Sequence, residues 1–391
     1  MKIFLYEWHA YQYRDIIRGF LLLGHEVTVT KEKPSSYDED PVYQKWFESR
    51  IKEEKPDLVF TVNYFGVISD ACEHCEVPYA IWTCDSGMLS LQHRSIRNKG
   101  NRLFFFDRAD MEEIRLLGAK AVYHLPLASD TGRFDEVLRD AKTEPLHEIS
   151  FIGSLYEKNS YDELREKMDP YLRGYFDAAI EAQLSVSGGN LFDTLLTPDI
   201  LVRVEELFRL EKSEGSWSDL GTVFSGTVLG FKAASEMRIR ALTALSSRFD
   251  TVLYSNSRAE GLPIQRFPSA DYWNSVPGIY RRSKINLNFT IPNIRTGLPL
   301  RIFDILSARG FLLTDYRAEL PDCFTVGKDL ACYESIPELV EKCSYYLSHE
   351  EERREIAENG YRTVKERHQM KERLEKMLDI IFPDEKNTAG T

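Results

Sequence analysis

At 391 residues the chain is too long for one ordinary core, and a prior of about 150 residues per domain points to two or three domains, two being the better fit. Hydrophobic residues at 43% and charged residues at 29% exclude a disordered or fibrous chain. A net charge of −12 excludes a general attraction to nucleic acid or anionic lipid, so a polyanionic partner must find a local basic pocket, and small phosphorylated ligands stay open. Glu7 and Arg14 fall where a signal peptide needs an unbroken apolar core, and no run approaches the ~20 apolar residues of a membrane span, so the expected location is cytoplasmic.

In chain order, "KIFLYEW" reads as a strand, "YRDIIRGFLLLGHE" as a helix with Ile16, Ile17, Phe20 and Leu23 on one face, and "VTVT" as a second strand. "DLVFTV" (57–62), "YAIWTC" (79–84), "RLFFFDR" and "AVYHLPL" continue the alternation, which predicts one parallel α/β domain over residues 1–140. The polar stretch "SDTGRFDEVLRDAKTEPLHE" reads as its linker. "ISFIGSLY" (149–156) opens a second α/β domain over 141–375, interrupted by a helical insertion at about 160–235, with "GGN" and "SEGSWSDLG" as loops. Alternation resumes with "MRIRALTALSSRF", "DTVLYS" and "YRRSKINLNFT"; charged amphipathic helices follow, and 376–391 is the last helix end and a tail whose "PDEKNTAGT" reads as frayed. Two doubly wound units in tandem are expected to present their strand C-terminal ends, where such sheets hold ligands, to a shared cleft.

"GLPLRIFDILSARGFLLTDY" (297–316) is the most informative stretch. Gly297, Leu298 and Pro299 suit a turn into a helix whose free N–H groups and positive dipole end can hold a phosphate. Arg301 and Asp304, three apart, share a face of that helix. Two such charges can form an ion pair on a solvated face. The alternative follows from position: the helix opens after the strand "INLNFT", where a doubly wound sheet binds its ligand, so Asp304 can accept from both ribose hydroxyls of a nucleotide with Arg301 near the diphosphate.

"RIFDILSARGFLLTDY", preceded by "SKINLNFT" and followed by "AELPDCF" and "GKDLACYESIPELVEKCSYYLSHEEERREIAENGY", resembles the group-1-type glycosyltransferase domain of the CgeB-like spore-protein family. "PDLVFTV", "VPYAIWTCDS", "FFFDR" and "YHLPLAS" are similar to that family's N-terminal domain, so the resemblance spans nearly the whole chain. It implies a GT-B fold, two Rossmann-like domains with a nucleotide-sugar donor, expected to be UDP-linked, held mainly by the C-terminal one. By the same resemblance, Asp304 takes the ribose-binding acid's place, and Thr296 stands where retaining relatives carry a second acid. Gly153 and Ser154 in "FIGSLYEK" take the place of the glycine turn that faces the diphosphate, with Lys158 a few residues on. Asn293 and Arg295, in the loop before the helix, are placed either to reach phosphate or sugar or to lie solvated, and Phe267 and Tyr280 flank the expected base region or belong to the core.

Transfer to a hydroxyl needs a base, or a leaving diphosphate that takes the proton itself. In this fold such a base belongs to the N-terminal domain, where His9 and Asp85 each follow a strand; the alternatives are that "EWHAY" caps the first helix and that Asp85 accepts backbone N–H bonds in its turn. Cys72 and Cys75 in "CEHC", near His74 and Cys84, have the spacing of half a zinc site without a second CxxC, and read as the edge of an amphipathic helix. "YDEDP" (37–41) is the nearest match to a metal-chelating acidic motif and reads as a solvated loop, so no metal or other cofactor is expected. The reading is a metal-independent glycosyltransferase with an unidentified acceptor. The alternatives are a nucleotide-sugar epimerase or a non-catalytic coat or scaffold protein on the same fold.

Overall fold

A computed structural model describes residues 1–142, 144–186 and 188–383; the end of the expected tail, 384–391, lies outside the described residues. The chain divides into two compact units, residues 1–130 with 212–218 and 368–391, and residues 131–211 with 219–367.

The first unit is built on six strands: β1 Lys2–Tyr6, β2 Glu26–Thr30, β3 Leu58–Val62, β4 Tyr79–Trp82, β5 Asn101–Phe105 and β6 Val122–His124. They pair in parallel in the order β2-β1-β3-β4-β5-β6. β3 and β4 are buried along their whole length, which is why they read as unbroken apolar runs rather than alternating ones. Helix Met370–Ile381 packs against helix Tyr13–Leu22 within this unit, and a Cβ added at Gly19 would collide with Leu374, so the glycine sets the closeness of that pair.

The second unit holds β7 His147–Ile152, β8 Thr251–Tyr254, β9 Gln265–Phe267, β10 Ser283–Asn288, β11 Leu312–Asp315 and β12 Ala331–Tyr333. These too are all parallel, in the order β12-β11-β10-β7-β8-β9. Numbered from β7 this is the 6-5-4-1-2-3 order of a dinucleotide-binding sheet. Both units are therefore Rossmann-like, as expected. Between β7 and β8 lie the insertion helices, with a core of their own in which Tyr161, Leu172, Phe176, Phe192, Val204 and Phe224 are buried. Residues Phe224–Gly230 are π-helical and run into helix Phe231–Ser246.

The polar stretch 129–148 is not a linker throughout, because helix Thr131–Leu138 forms within it and buries Phe134. Asp135 anchors that helix, its carboxylate taking Arg309 Nη1 at 2.7 Å and the Tyr361 hydroxyl at 2.6 Å. Among the described residues no helix is long and apolar enough to cross a membrane.

Candidate functional site

In the second unit the strand order reverses between β7 and β10, so the loops leaving these two strands border the crevice where such a sheet binds its ligand. The loop after β7 carries Gly153 and Ser154; the loop after β10 carries Asn293 to Pro299 and enters helix Leu300–Ser307 with Pro299 at its cap. Sequence-separated candidates are thus brought together. A Cβ at Gly153 would sit 3.0 Å from Arg301 Nη2 and 3.0 Å from Phe151 Cζ, so the glycine makes room for the arginine. The Arg301 guanidinium lies 5.2 Å from the Phe151 ring centre, and its Nη1 donates to Asn288 Oδ1 at 2.9 Å. The i, i+3 ion pair with Asp304 does not form; Arg301 folds back toward the strand end instead.

Arg238, not among the candidates singled out from the sequence, reaches the same place. Only 4% exposed, it donates from Nη1 to the Ser154 carbonyl at 2.6 Å and from Nη2 to the Phe289 carbonyl at 2.8 Å, while its Nε has no partner among the described residues. Its guanidinium lies 5.3 Å from the Phe151 ring and 4.8 Å from that of Tyr156. Burial pulls its pKa down to about 10, Tyr156 opposes this and the nearby Arg301 adds to it, so the group is still charged at neutral pH. A buried cation with no ion-pair partner costs several kcal/mol of lost hydration (order of magnitude), which a bound anion would offset.

The loop after β10 is pinned from β11. Asp315 Oδ1 accepts from the Thr290 N–H at 2.9 Å and hydroxyl at 2.8 Å, Oδ2 pairs with Arg317 Nη2 at 2.7 Å, and Arg317 Nη1 donates to the Ile294 carbonyl at 2.8 Å. Thr296 donates its hydroxyl to Glu319 Oε1 at 2.6 Å. The position without an acid in the sequence thus has one in contact, delivered from the loop after β11 by a residue 23 positions away.

The remaining candidates diverge. Asp304 is 2% exposed and its Oδ2 accepts from the Tyr272 hydroxyl at 2.8 Å, so its carboxylate is turned into the protein and already engaged. Asn293 donates to the Gly226 carbonyl at 3.2 Å and packs against Gly230, which commits it to the π-helical segment rather than to a ligand. Gly297 and Leu298 are buried, so any contribution there is through the backbone. Ser154 and Lys158 are exposed and Arg295 is half-buried. Phe267 stacks on Tyr254 at 4.9 Å, and Tyr280 is buried with its hydroxyl pushed well up by burial.

In the first unit the order reverses between β1 and β3. His9, just past β1, is exposed and its Nε2 stands 2.9 Å from Lys33 Nζ. Asp85, past β4, is exposed; its Oδ2 accepts from Asn63 Nδ2 at 2.7 Å, and Asn63 Oδ1 accepts from the Cys84 N–H at 2.9 Å. Neither residue caps a helix. Asp40 of the acidic run does: it accepts from the Tyr43 N–H at 2.9 Å at the start of helix Pro41–Glu54. Cys72 is buried in helix Gly66–His74 with its thiol pKa raised well up by burial, and His74 pairs with Glu48 at 2.9 Å. Among the described residues no group of three His, Cys, Asp or Glu side chains is placed to hold a metal ion.

Residues 238–379 match the model of a family described as glycosyl transferase-like. No curated protein matches the chain. Among solved structures, a glycosyltransferase from Rickettsia africae ESF-5 superposes with a TM-score of 0.54 at 12% identity over 99% of each chain. Anabaena Alr3699/HepE, solved with UDP and glucose, gives 0.54 at 9% over 97% of this chain and 98% of that one. The T4 phage BGT, solved with UDP-glucose, gives 0.54 at 8% over 98% and 100%. At such identities the likeness establishes the fold, which is GT-B.

Proposed function

We propose that this chain, which has the GT-B fold and matches a glycosyl transferase-like family over residues 238–379, is a glycosyltransferase that moves a sugar from a UDP-linked donor held by its second unit to a hydroxyl acceptor, without a metal ion. The observation that carries this reading is the meeting of Arg238 and Arg301 at the β7/β10 crevice with no carboxylate, among the described residues, in an ion pair with either. Two cations, the Gly153 turn and the N-terminus of helix Leu300–Ser307 together suit a diphosphate. As the sugar–oxygen bond breaks, charge grows on the departing diphosphate, and donors already in place stabilise it more than they stabilise the bound donor. No metal is needed where arginines and backbone N–H groups do that work. UDP complexes of Alr3699/HepE and the T4 phage enzyme, on the same fold, support the choice of nucleotide.

Asp304 reads the ribose in this scheme by exchanging or sharing its bond with Tyr272. His9 and Asp85 are the proposed bases for the acceptor proton, and the chain is proposed to be CgeB-like. Calorimetric titration with UDP and a panel of nucleoside diphosphates, followed by incubation with the matching sugar nucleotides, tests the proposal. Selective UDP binding with slow release of free sugar is the expected result; no nucleotide binding, or a new sugar isomer formed with donor alone, would overturn it.

A further inference from the structure

Against a net charge of −12, the second unit gathers cations at the end of its sheet opposite the donor crevice. A recess of about 80 Å³ is lined by Arg281, Arg282, Lys284, Arg309, Arg353 and Arg354, with Phe311 and Ala357 among its walls and no acidic residue in the lining. Arg281 and Arg282 end helix Val276–Arg282, Lys284 is the second residue of β10, Arg309 follows helix Leu300–Ser307, and the last two come from helix Glu350–Arg367. β10 runs from this recess at Ser283 to Asn288, the partner of Arg301, so the two sites lie roughly 17 Å apart along one strand at about 3.3 Å per residue.

The surrounding acids are too few to neutralise it. Asp135 and Glu358 hold Arg309, Glu350 holds Arg354, and Glu148 lies 3.6 Å from Lys284. Arg281, Arg282 and Arg353 enter no ion pair among the described residues: Arg282 Nε donates to the Glu144 carbonyl at 3.1 Å, and Arg353 Nη1, in a residue 5% exposed, donates to the Tyr346 carbonyl at 2.9 Å. The Arg281 guanidinium makes no hydrogen bond among them; burial and then the neighbouring Arg309 hold its pKa below the ordinary arginine value, against the pull of Glu358 and Asp135. Three elements thus converge guanidinium groups on a space a few waters in size, since a water claims about 30 Å³ in the liquid. Planar forks around a small recess fit the oxygens of phosphoryl groups, which they bind bidentately.

We propose that this recess is a second anion site, taking a soluble ligand with two or more phosphoryl groups, separate from the donor crevice. The site stands whether or not the donor reading does. The test is calorimetric titration of the full chain with inorganic tripolyphosphate, alone and with saturating UDP, for the native protein and for Arg354→Glu and Arg281→Ala/Arg354→Ala. The native protein is expected to take up tripolyphosphate under saturating UDP. Arg354→Glu, at a side chain 71% exposed and therefore harmless to the fold, is expected to weaken that uptake roughly tenfold, the loss of one charge-assisted contact. The double variant is expected to weaken it further and to leave UDP affinity as it was. No uptake under saturating UDP, unchanged affinity in Arg354→Glu, or association only with phosphatidylglycerol vesicles would overturn the proposal. If UDP itself fails to bind, the donor reading falls, and the response of tripolyphosphate uptake to the two variants still decides this one.

Discussion

Arg238 and Arg301 approach one aromatic ring, that of Phe151, at 5.3 and 5.2 Å from its centre, and each spends its other bonds on uncharged oxygens. Two like charges that close stay together only where dipoles or a ligand make up for their repulsion. The Ser154 and Phe289 carbonyls and the Asn288 amide supply the dipoles; in the proposed function the donor diphosphate supplies the rest. Arg238→Met should therefore weaken UDP binding by about 1.5–3 kcal/mol, roughly 10- to 100-fold, the scale of a hydrogen bond to a charged group. Arg301→Met should do the same. Calorimetry on protein with a retained cooperative melting transition reads the loss, and unchanged UDP affinity in both variants would remove the diphosphate from this place.

Gly153→Ala isolates the geometry from the charge. The new methyl would press on Arg301 Nη2 and Phe151 Cζ at 3.0 Å each, and the backbone there lies outside the left-handed region, so strain is confined to the side chains. UDP affinity should drop by about 1 kcal/mol, near fivefold, as Arg301 is pushed off Asn288, with a melting temperature close to that of the native protein. A fall in stability without a fall in affinity would mean the glycine serves packing alone.

Some of this was legible in advance. Buried parallel strands such as β3 announce themselves as apolar runs, and Gly153 and the 300–307 helix are visible as a turn after one strand and a proline-led helix after another. Arg238 was not, because an arginine in "EMRIRALTALSSRF" looks like the polar side of an amphipathic helix, and only the packing of that helix against β8, with the guanidinium on the Ser154 and Phe289 carbonyls, reveals that it points inward. Glu319 was hidden for a related reason: its contact with Thr296 depends on β11 lying beside β10, a pairing the chain does not spell out. The last helix is charged and amphipathic, which tells that it packs but not on what; Gly19 in the middle of the first helix was the one local sign of a close neighbour.

Asp304 tests the nucleotide end. Its bond from Tyr272 leaves the carboxylate buried and engaged, so a ribose must compete for it. Asp304→Asn should weaken UDP by ~1–3 kcal/mol, and should leave unchanged the weaker binding of a UDP analogue lacking both ribose hydroxyls. Equal losses for UDP and the analogue would show that Asp304 shapes the site through Tyr272 and does not read the sugar.

The helix that carries Arg301 and Asp304 is seated by another glycine. A Cβ at Gly360 would run into the Asp329 carbonyl oxygen and stand 2.7 Å from Leu306 Cδ2, with backbone on one side that cannot swing away. Gly360→Ala should destabilise the fold by about 1–3 kcal/mol, the usual cost of overpacking, seen as a lower denaturation midpoint with an unchanged slope. A neutral effect would mean helices Leu300–Ser307 and Glu350–Arg367 separate easily, and with them the placement of the crevice.

Proton handling is the last point at issue, and it separates the two units by experiment. His9, beside Lys33, and Asp85, held by Asn63, both sit past the C-terminal ends of strands in the first unit, while every proposed diphosphate contact is in the second. His9→Ala and Asp85→Ala should each leave UDP affinity intact, because both belong to the first unit and the proposed donor contacts to the second. The variant that removes the base should lower turnover by roughly 10²- to 10⁴-fold, the range for general acid–base catalysis, measured as release of sugar from the UDP donor until an acceptor is found. Excess EDTA should leave that turnover unchanged, since the arginines and helix N-terminus meet the leaving charge directly. Full turnover in both variants would leave the departing diphosphate as the proton's destination; loss of turnover with EDTA, restored by a divalent ion, would end the metal-free scheme.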